Sequence, residues 1–230
     1  MLNKINALFG AQDMTVGQPM SALLRFSVPL LIGNLAQQMY STVDSVIVGR
    51  YVGDKALSAI GTTLPIINLL LVLFMAVSTG AGIMVAQYYG AKAKESLSRS
   101  IGNAMTLVCV SSLVVMAIGI PLSGSLLRLT RTPVETFDMA QSYLTIILWG
   151  VLGLGFYNIV SGILRGLGNS VFPLLTLLLT SCLNIVLDIW FVAGLDMGVA
   201  GAAWATIISV AISAVVCIVK LWRMKDVVQI

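Results

Sequence analysis

Long stretches without a charged side chain alternate with short polar clusters along this chain. Five such stretches hold 36, 28, 26, 22 and 23 residues and lie at 56–91, 100–127, 139–164, 166–187 and 197–219. A sixth apolar segment runs from 26 to 49, where Asp44 is the one charged residue. A helix needs about 20 apolar residues to cross the bilayer core, and backbone in lipid must satisfy its own hydrogen bonds. The pattern therefore predicts an all-α integral membrane protein with a bundle of six transmembrane helices.

Turn residues set the predicted boundaries of these helices. Clusters rich in glycine, proline and polar residues at 49–54, 130–133, 166–170 and 196–198 separate the apolar stretches. We expect helices at roughly 21–49, 55–88, 95–122, 134–165, 170–193 and 197–222. They form one transmembrane lobe over 15–225, between an amino-terminal tail at 1–14 and a short end at 226–230. No sustained apolar core precedes the first helix, so a cleavable signal peptide is not expected.

The few charged residues set the expected orientation in the membrane. Hydrophobic residues make up 58% of the chain and charged residues 10%, against about 25% charged in soluble domains. With a cytoplasmic amino terminus, nine of the thirteen Lys and Arg residues fall on the cytoplasmic side, as the positive-inside rule requires. We therefore expect both termini in the cytoplasm and Arg165 as an interfacial anchor. The net charge of +4 then reflects topology and does not predict nucleic-acid binding.

The residue types absent from the sequence exclude several kinds of chemistry. The chain has no histidine, which removes imidazole metal sites, Ser-His triads and the usual proton carrier near neutral pH. Its three cysteines, Cys109, Cys182 and Cys217, all lie in predicted spans and are odd in number, so disulfides are not expected. We expect neither an enzyme nor a bound cofactor.

Two acidic residues inside the predicted spans carry the functional argument. Asp44 lies in the first predicted helix and Asp188 in the fifth. A carboxylate at membrane depth costs at least ~2.5–3.5 kcal/mol and is kept mainly where it handles ions, protons or substrates. Gln37 and Tyr40 precede Asp44 at helical spacing and share its face. Asn184 lies four residues before Asp188, so these two side chains also share a face.

Further polar side chains extend this pattern into other helices. Thr206 lies in the middle of the sixth predicted helix and Asn158 late in the fourth. Carboxylate, amide and hydroxyl oxygens can together replace the hydration shell of a hard cation such as Na⁺. Buried carboxylates could equally carry protons, so the residues leave Na⁺ and H⁺ both open. A single Asn or Thr in a span also often does no more than hydrogen-bond a neighbouring helix.

A weak internal repeat places the two aspartates at corresponding positions. At an offset of 144 residues, Asp44 aligns with Asp188 and Pro29 with Pro173. The first two helices therefore resemble the fifth and sixth, and both pairs start from the same side of the membrane. Transporters are often built from such repeats. Chance similarity in a chain rich in Ala and Leu stays an alternative.

Three segments taken together resemble the multidrug and toxic compound extrusion (MATE) family. They read VPLLIGNLAQQMYSTVDSVIVGRYVGDKALSAIG, STGAGIMVAQYYGAKA and ILRGLGNSVFPLLTLLLTSCLNIVLDIWFVAGLDMGVAGAAWATIIS. The resemblance covers essentially all of 15–225 and matches the family's amino-terminal six-helix lobe, closest to its prokaryotic branch. It implies an antiporter of the prokaryotic cytoplasmic membrane that exports drugs or other organic, often cationic, compounds by admitting Na⁺ or H⁺.

The resemblance also implies roles for single residues. A coupling site for Na⁺ or H⁺ falls on Asp44, Asn184, Asp188 and Thr206. An adjoining substrate cavity falls on Gln37, Tyr40 and Asn158. Family members are about twice as long as this chain, with a second six-helix lobe across a substrate cleft. The expected partners are therefore the bilayer, a small organic substrate and a second lobe, from the same or another chain.

Three other functions stay open on the sequence. A lipid-linked oligosaccharide flippase has the same fold. A non-transporting six-helix protein that pairs with another chain is the second alternative, because the chain has half the length of the family. An intramembrane aspartyl protease would use two carboxyls that share one proton. Neither STVDSV nor NIVLDIW has the glycine-flanked setting expected for that chemistry.

Overall fold

Seven α-helices and one π-helical segment make up the described part of the molecule. The computed structural model describes residues 19–224, so the predicted tail at 1–14 and the predicted end at 226–230 lie outside the described residues. The helices are α1 (Pro19–Tyr51), α2 (Asp54–Gly90), α3 (Lys94–Leu129), α4 (Val134–Trp149), α5 (Val151–Gly166), α6 (Val171–Asp188) and α7 (Gly198–Arg223), with a π-helical segment (Ile189–Gly194) directly after α6. No residue between 19 and 224 lies in a β-strand, and the predicted all-α class is confirmed.

Most of these helices have the length and composition to cross a membrane. Three helices qualify alone, namely α2, α3 and α7, and α6 qualifies together with the π-helical segment that continues it. The bent pair of α4 and α5 supplies a fifth span. The first helix, α1, has 33 residues and is about 50 Å long at ~1.5 Å per residue, which is enough to cross a bilayer. Its polar side chains make it less apolar than the other spans. The membrane class of the protein therefore rests on the other five spans.

The prediction of one continuous helix over 134–165 is wrong. The helix breaks at Gly150 into α4 and α5, which are bent by 50° relative to each other. A Cβ atom at Gly150 would overlap the side chain of Ile207 on α7. The absence of a side chain at Gly150 therefore lets α7 approach the fourth span closely at the bend.

Two other boundaries also differ from the predicted ones. The third helix was expected to end at 122, but α3 continues through Pro121 to Leu129. The fifth helix was expected as one regular helix over 170–193, but α-helical geometry ends at Asp188 and π-helical geometry follows. Short π-helical segments occur frequently at functional sites.

The helix α5 lies at the centre of the bundle and α1 at its periphery. The most extensive packing of α5 is with α2, and it also contacts α3 and α7. By contrast, α1 contacts mainly α6. Side chains of α1 on the face away from the bundle are exposed, Leu35 by 67% and Met39 by 70%. The position of α1 therefore depends mostly on its contact with α6.

The crossing of α2 and α5 brings two backbones into direct contact. A Cβ on Gly162 would lie 2.6 Å from the carbonyl oxygen of Ser78, and a Cβ on Gly82 would lie 2.9 Å from that of Gly162. The Ser78 hydroxyl donates to the backbone carbonyl of Asn158 at 2.6 Å. The close contact between α2 and α5 at these small residues, together with this hydrogen bond, holds the backbone of Asn158 in place.

Candidate cation site and cavity

Asp44 and Asp188 come together where α1 packs on α6. A Cβ at Gly33 on α1 would lie 3.5 Å from the side chain of Leu177 on α6. Further along, the carboxyl groups of Asp44 and Asp188 lie close enough for a direct hydrogen bond when one of them is protonated. Both contacts join residues that are 144 positions apart. The two helices are therefore parallel, and matching positions of the weak repeat lie at the same depth.

Each of the two aspartates has an oxygen without a hydrogen-bond partner among the described residues. Asp188 is fully buried at the carboxyl end of α6, and Asp44 is half-buried on α1. The Oδ1 atoms of both are buried and receive no hydrogen bond from the described chain. Buried carboxylate oxygens without donors are energetically costly. The pair therefore favours a proton or a cation between or beside the two groups.

Asn184 connects Asp188 to α7. It is fully buried. In the orientation that satisfies both of its neighbours, its Nδ2 donates to Asp188 Oδ2 at 2.7 Å and its Oδ1 accepts from the Thr206 backbone N–H at 3.2 Å. In the opposite orientation Nδ2 donates to Thr206 Oγ1 at 3.3 Å. The first orientation is favoured because it directs a donor, not an oxygen, at the carboxylate.

Two tyrosine hydroxyls border the acidic pair. Tyr40 lies one turn before Asp44, and its side chain interacts with Thr206 of α7. Tyr143 of α4 is 6% exposed and interacts electrostatically with Asp44, Asp188 and Tyr40. Tyr143 was not predicted from the sequence as a site residue. Its one signal was a tyrosine in a largely apolar span, and ordinary core packing explains such a residue equally well.

A cavity of about 190 Å³, lined by both polar and apolar side chains, lies beside this cluster. The three residues predicted for a substrate cavity, Gln37, Tyr40 and Asn158, all line it. Asp44 and Asp188 do not, so Tyr40 is the residue that borders both the cavity and the acidic cluster. Further polar residues on the wall are Asn34 on α1, Tyr157, Ser161 and Arg165 on α5, and Thr180 and Ser181 on α6.

Arg165, which was expected as an interfacial anchor, lies in the last turn of α5 and also at this cavity. It is half-buried near the end of α5 and contributes to the cavity wall. The ion pairs among the described residues lie elsewhere, between exposed side chains, and none involves Arg165. The structure thus separates an acidic cluster, which includes Asp44 and Asp188, from a cavity whose one charged wall residue within 19–224 is basic.

The oxygen donors around the acidic pair fit a hard monovalent cation or a proton. Within residues 19–224 no three Cys, Asp or Glu side chains form a cluster suited to a metal ion. A cation at Asp44 and Asp188 would therefore complete its shell with neutral oxygens, such as the Thr206 hydroxyl, or the Asn184 amide oxygen if that amide turns over when the ion binds. Such oxygen ligands suit hard cations better than soft transition metals.

The fold and the site together define a helical membrane protein with two carboxyl groups inside its apolar helices, an arrangement that also occurs in secondary transporters. The family model MatE matches residues 29–190, and the chain belongs to this family. It is 34% identical over 199 residues to the probable multidrug resistance protein YpnP of Bacillus subtilis, covering 86% of this chain and 45% of that protein. It is 28% identical over 213 residues to the multidrug export protein MepA of Staphylococcus aureus, covering 91% and 46%.

Solved structures agree with this assignment. A MATE structure in the bent conformation has a TM-score of 0.87 and 30% sequence identity, covering 93% of this chain and 48% of that one. A MATE structure in the straight conformation has a TM-score of 0.86 and 29% identity, covering 98% and 49%. The predicted family is confirmed. The chain spans about half the length of the relatives it matches, which fits the predicted amino-terminal lobe.

Proposed function

We propose that this chain is the amino-terminal half of a cation-coupled efflux antiporter in which Asp44 and Asp188 bind the coupling ion, Na⁺ or H⁺. The observation that carries the proposal is the pair of adjacent carboxyls whose Oδ1 atoms have no hydrogen-bond partner in the described chain. The relatives are multidrug export and multidrug resistance proteins. Their names support the export of drugs or other organic compounds over the flippase alternative.

Electrostatic repulsion explains why the acidic pair would respond to a cation. Two like charges about 4 Å apart repel by about 4 kcal/mol at an effective dielectric constant of about 20. A proton or a Na⁺ ion at Asp44 and Asp188 removes much of this repulsion and satisfies the unpartnered oxygens. Thr206 supplies a neutral hydroxyl oxygen nearby, and the Asn184 amide supplies another if it turns its oxygen toward the ion. Arrival of the ion therefore strengthens the contact between α1 and α6.

The helix α1 would transmit this change to the cavity. Gln37 and Tyr40 lie on the same face of α1 as Asp44 and border the cavity. Because α1 contacts mainly α6, a tighter pair shifts or bends α1 near Pro29 and moves these two side chains inward. The cavity then closes and its substrate is released. Such a scheme requires the ion to bind the two positions of α1 with different affinity.

The transport cycle also requires a second lobe and a membrane. A second six-helix lobe, in the same polypeptide or another chain, would form the opposite wall of the substrate cleft. Its presence is supported by the relatives, which are about twice as long as the matched region. The distribution of Lys and Arg supports placement in the cytoplasmic membrane with both termini in the cytoplasm.

The proposal is tested by measuring the thermal stability of the purified chain in detergent. Na⁺ is titrated at constant ionic strength and at two pH values in wild type, Asp44→Asn and Asp188→Asn. A saturable stabilisation of about 2.7 kcal/mol at ~100 times the dissociation constant is expected in wild type and in neither variant. Asp138→Asn, the same change at an exposed position of α4, is the control and should keep the response.

The other outcomes of this titration are equally informative. A pH dependence of stability without a Na⁺ response, removed by both substitutions, identifies H⁺ as the coupling ion. A stability that responds to neither Na⁺ nor pH, or a response that survives in both variants, contradicts the assignment of the ion site.

A further inference from the structure

We propose that the end of the cavity at Arg165 is an anion subsite, which binds the carboxylate or phosphate group of an amphiphilic cargo. This inference rests on the proposed efflux function, because it names a chemical class of the exported molecule. The cargo would be a soluble organic acid or zwitterion, or a lipid with a phosphate headgroup. Three features at this end of the cavity favour an anion.

The first feature is the charge of Arg165 itself. Its guanidinium is always protonated and has five donors in a planar fork that fits carboxylate and phosphate groups. It is half-buried on the cavity wall, and no ion pair found between residues 19 and 224 includes it. A partly desolvated charge without a counter-ion is unfavourable. An anionic ligand group would supply the counter-ion.

The second feature is the hydroxyl of Ser161, one turn before Arg165 on α5. Ser161 is 3% exposed and lines the cavity. Its Oγ is buried and makes no hydrogen bond of standard geometry within the described chain, although the Tyr157 hydroxyl and the Cys217 thiol lie near it. Tyr157 lies a further turn back on the same face and also lines the cavity. Together Tyr157, Ser161 and Arg165 place hydroxyl and guanidinium donors along one wall.

The third feature is the orientation of α6. Ser170, immediately before the helix, and Pro173 in its first turn both line the cavity. The amino-terminal end of this 18-residue helix therefore borders the cavity. The amino-terminal end of a helix carries partial positive charge and favours anions. No Asp or Glu side chain of the described chain lines the cavity, so nothing on its wall neutralises this end.

The rest of the cavity fits the remainder of an amphiphilic molecule. Leu71, Met75 and Leu154 provide apolar surface on α2 and α5. A cargo with its acid group at Arg165 would place an aromatic or aliphatic body against these side chains. Its far end would then reach Tyr40, which borders the acidic cluster. A purely cationic cargo would instead meet a like charge at Arg165.

The subsite is tested by comparing two ligands that differ mainly in charge. Binding of 1-naphthylacetate and of 2-(1-naphthyl)ethylammonium to the purified chain is measured by calorimetry in a neutral detergent. We expect wild type to bind the carboxylate more tightly, and Arg165→Gln to weaken it about tenfold or more, since charge-assisted hydrogen bonds are the strong ones. Ser161→Ala should weaken the carboxylate by a few fold. Arg128→Gln, the same change at an exposed position, should have no effect.

A conservative variant protects the test against a folding defect. Arg165→Lys keeps the charge but loses the planar fork, so it should retain the preference for the carboxylate with reduced affinity. Equal affinity of wild type for both ligands, or unchanged carboxylate binding in a folded Arg165→Gln variant, would exclude a soluble acid as the ligand. Either result would overturn the subsite altogether if a lipid phosphate also binds independently of Arg165.

A third ligand identifies the source of the anion. Dihexanoyl phosphatidate carries a phosphate on a short lipid. If it alone binds in an Arg165-dependent way, the subsite stands and its ligand is a lipid headgroup. If 1-naphthylacetate binds in this way, the ligand is a soluble acid. Failure of both anions to depend on Arg165 contradicts the proposal.

The outcome is separable from that of the ion site. Asp188→Asn should remove the response to Na⁺ or pH and keep the Arg165-dependent binding of the carboxylate. If wild type responds to neither Na⁺ nor pH but still binds the anion through Arg165, the coupling mechanism is refuted and the subsite stands. The reverse pattern would refute the subsite alone.

Discussion

Substituting Gly162 by alanine is expected to force α2 and α5 apart. The new Cβ would lie 2.6 Å from the backbone carbonyl oxygen of Ser78. Real Cβ contacts are at least 3.0 Å, so the backbones must separate by about 0.4 Å locally. A backbone carbonyl cannot rotate away as a flexible side chain can. The adjustment therefore affects the whole crossing, which is the most extensive helix contact within residues 19–224.

The expected cost follows from two opposing effects. Overpacking of a well-packed contact costs about 1–3 kcal/mol, partly because a gap of ~0.5–1 Å removes a quarter to a half of each dispersion contact. Alanine has a higher helix propensity than glycine, which returns up to about 1 kcal/mol. We expect Gly162→Ala to lower the free energy of unfolding by about 1–2 kcal/mol.

Gly80 provides the matched control on α2. A Cβ at Gly80 meets no other atom within 4 Å. Gly80→Ala should therefore be neutral or stabilising by up to about 1 kcal/mol, so the two variants should differ by about 1–3 kcal/mol. Unfolding in mixed micelles of a mild detergent and dodecyl sulfate, followed by circular dichroism, measures this difference. Equal stability of the two variants would refute the close backbone contact.

Two further predictions concern positions found through the structure. Tyr143→Phe removes a hydroxyl beside Asp44 and Asp188 and is expected to weaken the stabilisation by Na⁺ while costing about 1 kcal/mol or less of basal stability; an unchanged Na⁺ titration would exclude Tyr143 from the site. Gly150→Ala is expected to destabilise the chain through overlap with Ile207, and Ile207→Ala in the same molecule should restore part of the loss. Strictly additive losses in the double-mutant cycle would contradict the contact.

The helices and the depth of the acidic residues could be predicted from the sequence. Uncharged stretches of 22 to 36 residues permit little except transmembrane helices, because lipid offers no other partner to the backbone. The offset of 144 residues placed Asp44 and Asp188 at corresponding positions. In the structure those positions lie side by side, because α1 and α6 run parallel and pack on each other. The repeat predicted that Asp44 and Asp188 lie at the same depth in the membrane. The packing of α1 on α6 places the two side chains next to each other.

The break at Gly150 could not be predicted, because its cause lies in another helix. Gly150 has helical backbone angles, with φ −82° and ψ −4°, and it lies in an uninterrupted apolar stretch. The bend coincides with the close approach of Ile207 on α7. The positions of Tyr143 near the aspartates and of Arg165 on the cavity wall were not predicted for the same reason. Whether such a residue faces lipid, the interface or a cavity depends on which helix lies beside it.

The arrangement of charge constrains how the two ligands of an antiporter of this kind would be coupled. Arg165 lines the cavity, whereas Asp44 and Asp188 lie outside its wall. On α1, Asp44 follows Gln37 by seven residues, which corresponds to about 10 Å along the helix axis. A cation at the acidic pair and an acid group at Arg165 would therefore not compete for the same atoms. Exchange of the two ligands requires one helix that contacts both the cavity and the acidic pair. The helix α1 does so, because Gln37 and Tyr40 line the cavity and Asp44 belongs to the pair. Each ligand would oppose the other by favouring a different position of α1, which is coupling through a conformational equilibrium.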